Sequence, residues 1–206
     1  MQTKEHWEDV YTRKQAEEVS WFQPHAALSL QIIHDNLVPT DARIVDVGGG
    51  ASTLVDDLLA SGYANLTVLD LSGVALHKAR SRLGSRASDV TWREADVLTA
   101  DLPANYFDVW HDRAVFHFLL TDDERQRYVA QVLRAVKPGA LVIVATFAED
   151  GPEKCSGLPV MRYSADALHS EFGAPFELLG SVPESHLTPG GNEQRFVYCY
   201  CKRVPQ

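Results

Sequence analysis

The run Ile44-Val45-Asp46-Val47-Gly48-Gly49-Gly50-Ala51-Ser52-Thr53 constrains this chain more than any other segment. A β-branched stretch delivers one carboxylate and then three glycines where a helix can begin. Glycine lets the backbone turn tightly there and lets a ligand approach the main chain at the positive end of the helix. This is the strand-turn-helix step of an α/β sheet, and the following chain repeats it. Short apolar runs at 43–47, 66–70, 90–94, 106–111 and 141–147 read as strands. Amphipathic segments lie between them.

The helix punctuation supports that reading. Segment 51–61 carries Leu54, Leu58 and Leu59 on one face and stops at Gly62. Ser72 can cap a helix that runs to Leu83 and ends at Gly84. Thr121-Asp122-Asp123-Glu124 is a capping box, followed by Tyr128, Val129, Val132, Leu133 and Val136 at helical spacing, up to Lys137-Pro138-Gly139. Upstream, 24–37 has a helical stripe, after a segment bearing Trp7, Tyr11, Trp21 and Phe22. Downstream, a helix at 164–172 precedes strands at 176–182 and 195–202, read as an antiparallel pair. With 206 residues, 45% hydrophobic and 23% charged, one ordinary domain is expected over 1–206.

Charge and cysteine content narrow the partners. A formal net charge of -9 is opposite in sign to a nonspecific nucleic-acid binder, so no nucleic-acid partner is expected. No apolar stretch approaches the ~20 residues that span a bilayer, and the polar stretch 1–9 lacks the apolar core of a secretory signal; a cytoplasmic protein without a membrane partner is expected. Three cysteines are too few for a disulfide framework. Cys199 and Cys201 would lie parallel on one strand face, a poor arrangement for bridging each other. The eight histidines show neither H-x-x-x-H nor a C-x-x-C companion, so no metal is expected.

As a dinucleotide fingerprint the glycine run fails at Thr53, where a third spaced glycine would stand. Asp46 would also repel a pyrophosphate and suits a cationic ligand, which disfavours an oxidoreductase. Asp70 ends the second strand, where a carboxylate can accept hydrogen bonds from both ribose hydroxyls. Asp96 ends the third and could take an exocyclic amine.

Taken in order, Asp46-x-Gly48-x-Gly50, Asp70, Asp96-Val97, Phe107-Asp108-Val109-Trp110, Val115-Phe116-His117-Phe118-Leu119 and Lys137-Pro138-Gly139-Ala140 resemble the class I S-adenosylmethionine-dependent methyltransferases over 43–147. The resemblance implies a Rossmann-like, doubly wound, seven-stranded sheet, mostly parallel with one antiparallel strand and with helices on both faces. It implies S-adenosyl-L-methionine as cofactor. Gly48, Gly49 and Gly50 would cradle its methionine part, Asp46 would sit near its ammonium, Asp70 would hold the ribose and Asp96 the adenine. Leu71, Val97, Asp112 and Trp21 complete the expected cofactor set. Segment 1–40 would supply a lid and first helix, and 148–206 the substrate loop and final strands. Gly49, where many relatives have cysteine, and Ala140, where many have glycine, are small departures.

The acceptor is read less sharply. His111, after the fourth strand, is the first candidate base, His117 the second, and Arg113 the third catalytic candidate. Asp112-Arg113 is similar to a pair in thiol methyltransferases. The segment with His6, Trp7, Tyr11, Trp21 and Phe22 is similar to that of methyltransferase-like protein-lysine enzymes, where aromatics could form a lid or an amine cage, or simply strap the first helix to the sheet. Loop 148–160, Arg162 and Tyr163 would form the pocket rim. Cys155 with Cys199 and Cys201 could bind trivalent arsenic. The expected activity is methyl transfer to a small-molecule acceptor. A protein-lysine acceptor is the alternative, and a thiol or arsenic acceptor served by Cys155 is a lesser one.

Overall fold

A computed structural model describes residues 3–205; residues 1, 2 and 206, at the ends of the expected domain, lie outside the described residues. In chain order the elements are α1 (Lys4–Arg13), α2 (Ala27–Asp35), β1 (Arg43–Val47), α3 (Leu54–Ala60), β2 (Asn65–Asp70), α4 (Gly73–Leu83), β3 (Val90–Glu94), β4 (Phe107–Arg113), α5 (Asp122–Ala135) and β5 (Val136–Phe147). The small hairpin β6 (Lys154–Cys155) and β7 (Leu158–Pro159), then α6 (Ala165–Phe172), β8 (Phe176–Leu187) and β9 (Glu193–Arg203), complete the chain. The main sheet has seven strands in the order β3-β2-β1-β4-β5-β9-β8. Neighbours from β3 to β5 pair in parallel, whereas β9 is antiparallel to both β5 and β8, so it alone opposes the others. This is the expected Rossmann-like sheet. No described helix is long and apolar enough to cross a membrane.

Alternation along the strands divides the apolar residues between two cores. Ile44, Val68, Val109, Ile143 and Tyr198 face α2, α3 and α4, which contribute Ile33, Leu54, Leu58 and Ala75. Val45, Leu69, Trp110, Val142 and Cys199 face α5 and α6, which contribute Tyr128, Val132, Leu168 and Phe172. The Thr121 capping box forms as expected, with the Thr121 side chain accepting from Glu124 N. Boundaries shift where pairing overrides local signals. The strand expected to begin at 141 begins at Val136, because Val136 pairs with Phe107 before a bulge that absorbs Lys137-Pro138-Gly139. The helix expected from Ala51 starts at Leu54, since the glycine turn uses the intervening residues.

The same alternation decides a site question. Val47 pairs with Asp112 and Asp46 with His111, so Asp112 points into the α5 face, away from Asp46. There the Trp110 indole donates to the Tyr128 hydroxyl at 2.9 Å, and that hydroxyl donates to Asp112. Asp112 also accepts from Val115 N at 2.8 Å and Phe116 N at 3.1 Å, fixing the turn that leaves β4. Burial pushes its carboxyl up to about 6, against the pull of Tyr128 and the two backbone donors. Removing the phenol leaves a buried carboxylate one donor short. Tyr128→Phe is expected to lower unfolding stability by about 1–3 kcal/mol in urea titrations.

Candidate active site

The carboxyl ends of β1, β2, β3 and β4 meet at the glycine turn. Gly48 takes a positive φ of 67° and donates its N–H to Leu69 O at 2.7 Å, closing the turn against β2. A side chain on Gly48 would collide with Val115, one on Gly49 with the Asp46 carboxylate, and one on Gly50 with the Asp70 carboxylate. The bare main chain therefore lies directly against two acids.

Two adjoining cavities open around this turn. The larger, with about 640 Å³ of empty space including its opening to solvent, is walled by Gly48, Asp70, Leu71, Asp96, Val97 and Val115. Trp7, Tyr11, Trp21, Phe118, Arg113 and Cys155 close its other side. The smaller lies behind the turn, against Asp46, Gly49, Thr53, His111 and Ser29. Tyr11, Trp21, Gly48 and Arg113 belong to both, so the cavities adjoin along one line.

The acids differ in character. Asp46 is buried; its Oδ1 meets His111 Nδ1 at 2.7 Å, while Oδ2 has no hydrogen-bond partner among the described residues. A buried carboxylate oxygen without a donor suits a cation, which is the chemistry of an ammonium. Asp70 is buried as well, and accepts from Ser72 N at 2.8 Å and from the Gly50 backbone. Burial pushes it up to about 7, with those donors pulling down and the charges of Asp46 and Glu8 pushing further up. Asp96 is exposed at the cavity edge, its Oδ1 holding Leu98 N at 2.9 Å.

The cavity roof comes from the N-terminal segment. Trp7 packs edge-on against Trp21 and Phe118 at 5.7 and 5.3 Å, and the Trp21 indole donates to the Tyr11 hydroxyl at 3.2 Å. Glu8 caps α4 by accepting from Gly73 N at 2.8 Å and Val74 N at 3.2 Å. Lys4 pairs with Glu94, and His6 meets Ser156 of the small hairpin at 3.2 Å.

The structure brings some of the expected residues to the cavities and turns Asp112 and His117 away. His111 lines only the smaller cavity and has both ring nitrogens engaged, Nδ1 by Asp46 and Nε2 by Ser29 Oγ at 2.8 Å. His117 lines neither cavity. It is buried between the rings of Phe118 and Phe147, at 4.5 and 4.8 Å, and is pushed down to about 3 by burial and by Arg113. Asp112 lines neither cavity, for the alternation reason given above. Arg113 does face both, but it is held by Glu184 at 2.8 Å, the Tyr198 hydroxyl at 3.0 Å and the Phe196 ring at 4.1 Å. The three thiols do not converge: Cys155 packs in the core facing α2 to α4, and Cys199 and Cys201 in the core facing α5 and α6. The latter two do lie parallel on one face, unbridged, with sulfurs 3.6 Å apart, but His169 joins them, a grouping that no sequence spacing announced.

Ser29, Tyr198 and Glu184 were not singled out in the sequence. Ser29 leaves a faint signal as a hydroxyl inside the apolar stripe of α2, between Leu28 and Ile32. Glu184 leaves none, since only the β8–β9 pairing brings it to Arg113.

Residues 44–139 match the family model described as a methyltransferase domain. Residues 44–139 are thus a methyltransferase domain, in a fold shared with S-adenosylmethionine-dependent methyltransferases. The chain is similar to human EEF1A lysine methyltransferase 2, at 23% identity over 95% of this chain and 83% of that protein. It is also similar to the mouse eEF1A lysine and N-terminal methyltransferase, at 23% identity over 70% of this chain, and spans only about 21% of that protein's length. Among solved structures, the Burkholderia thailandensis 1,6-didemethyltoxoflavin-N1-methyltransferase with bound S-adenosylhomocysteine superposes with a TM-score of 0.68 at 18% identity, covering 98% of this chain and 84% of that one. This likeness supports S-adenosylmethionine as the cofactor.

The raised Asp70 carboxyl ties this methyltransferase to pH. Between the ordinary carboxylate range and about 7 the folded chain keeps the Asp70 proton and the unfolded chain does not. The stability this group contributes is therefore full at the acid end and is lost as pH rises through about 7. A ribose that donates to the carboxylate needs the ionised form, so S-adenosylhomocysteine affinity is expected to rise as pH increases through about 7. Calorimetry across pH should show proton release on binding near neutrality, and Asp70→Asn should abolish both the release and the slope.

Proposed function

We propose that the enzyme methylates a small acceptor enclosed beneath the aromatic roof of the larger cavity, with the cofactor spread from the glycine turn to Asp96. S-adenosylmethionine supplies, when bound, a methyl group on a sulfonium, open to in-line attack. Asp46 Oδ2 takes the ammonium, and His111 holds Asp46 in the rotamer that points Oδ2 there. Gly48, Gly49 and Gly50 admit the methionine part against the bare backbone. Asp70 accepts from the ribose and Asp96 from the adenine amine, with Leu71 and Val97 against the base and Trp21 closing over the cofactor. Asp112 acts at one remove, through the turn that carries Val115 to the cavity.

The observation that carries the small-acceptor reading is the latched roof. Glu8 on the α4 N-terminus and His6 on Ser156 hold α1 across the cavity from both sides, so the space beneath favours a molecule that can be enclosed. The side groups there are aromatic rings, Cys155 and Arg113, the last already paired with Glu184. Burial pushes Cys155 up to about 12 and raises Tyr11 far above the ordinary tyrosine range, so neither takes a proton at neutral pH. The acceptor then arrives already nucleophilic, and the protein's main contribution is alignment, worth up to about 7–11 kcal/mol in favourable cases. Arg113, fixed by Glu184 and Tyr198, positions the acceptor.

A protein-lysine acceptor is favoured by one observation: similarity to the human EEF1A lysine methyltransferase 2 runs over nearly the whole chain. The two readings separate in one experiment. With tritiated cofactor and a cell lysate, label is expected in the small-molecule fraction; label confined to protein lysine would overturn the small-acceptor reading. A screen of thiols, phenols, carboxylates and amines, read by S-adenosylhomocysteine release, then identifies the acceptor. Asp46→Ala is expected to weaken cofactor binding by about ten- to a hundredfold, the loss of a charge-assisted contact. At saturating cofactor the kcat/KM–pH profile for the acceptor is expected to follow the acceptor's own ionisation and to keep its shape in His117→Asn.

A further inference from the structure

His169, Cys199 and Cys201 form a group that the methyl-transfer site does not use. The two cysteines lie two residues apart on β9, side chains on the face that α6 covers, with Sγ atoms 3.6 Å apart. His169, from α6, brings Nδ1 to 3.4 Å from Cys201 Sγ. One donor atom from each residue lies within 4.8 Å of the others. Metal–sulfur bonds of about 2.3 Å and metal–nitrogen bonds of about 2.0–2.1 Å, at tetrahedral angles, put neighbouring ligand atoms roughly 3.5–3.8 Å apart. The Sγ–Sγ and Sγ–Nδ1 separations are already close to two edges of such a tetrahedron.

We propose that these three residues bind a thiophilic d10 cation of the zinc type, as a structural clamp between α6 and β9. The cation replaces the two thiol protons, which pass to solvent, and two thiolates, a neutral imidazole and a divalent ion are together uncharged. That neutrality allows the group to sit against the apolar core formed by Val142, Val144 and Leu168. Both cysteines are buried, whereas His169 is only half-buried and gives the ion a way in from solvent. The clamp lies on the opposite side of the sheet from Asp46 and His111, so it supplies no chemistry to methyl transfer. It instead secures the helix that follows the loop carrying Cys155 into the cavity wall.

The test is titration of the whole protein with Cd²⁺, reading the ultraviolet thiolate-to-metal charge-transfer band, followed by back-titration with Zn²⁺. Saturation at one equivalent, displacement by Zn²⁺, loss of the band in Cys199→Ser and Cys201→Ser, and at least tenfold weaker binding in His169→Ala are expected. Cys155→Ser should titrate like the natural protein. A second readout needs no variant: one equivalent of Zn²⁺ should protect Cys199 and Cys201, but not Cys155, from iodoacetamide after brief denaturant pulses, read by mass spectrometry. Absence of a saturable band, a band that survives loss of both β9 thiols, or equal alkylation of all three cysteines with and without Zn²⁺ would overturn the proposal.

Discussion

The structure is organised around a close approach: the glycine backbone between β1 and α3 lies against two buried carboxylates, Asp46 and Asp70, with no room for a side chain at any of its three glycines. Two acids buried this near one another are costly unless donors and a cation compensate them. The fold answers each differently. Asp70 receives backbone N–H groups from its own turn and from Gly50 and keeps a high affinity for its proton. Asp46 receives one imidazole and leaves one oxygen without a donor. An arrangement of this kind is costly empty and favourable with a cationic ligand in place.

From Asp46 a buried polar chain crosses the domain. His111 links Asp46 to Ser29, the Ser29 hydroxyl meets Tyr198 at 3.3 Å, and Tyr198 accepts from Arg113, which pairs with Glu184. Five elements, β1, α2, β4, β9 and β8, thus contribute to one network. Satisfied networks of this sort rigidify what they connect. Here they connect Asp46, behind the glycine turn, to Arg113, which lines both cavities. His111 on this path has both ring nitrogens engaged, by Asp46 and by Ser29.

Legibility followed the range of the interactions. The glycine run, the capping box at Thr121 and the strand-helix alternation depend on neighbours a few residues away, and each was readable. The acids at strand ends were readable too, because a parallel sheet presents those ends to one crevice. Asp112 was misplaced because side-chain direction alternates and β4 runs two residues past the expected end, to Arg113. The burial of His117 was not readable because it depends on Phe147, far along the chain, whose ring packs on the imidazole and whose N–H donates to Nδ1. The His169 group was invisible because its members lie on α6 and β9, thirty-odd residues apart, in no familiar spacing.

The sequence by itself determined the class of fold and the glycine turn with its flanking acids, since those rest on backbone permissiveness and on carboxylates along regular strands. Tertiary structure alone decided which polar residues face a cavity, which histidine is neutral and enclosed, and which partners hold Arg113. The physical reason is the same in each case. Burial and pairing are set by residues far apart in the chain, through strand register and packing, and one step of register turns a side chain to the other face of the sheet.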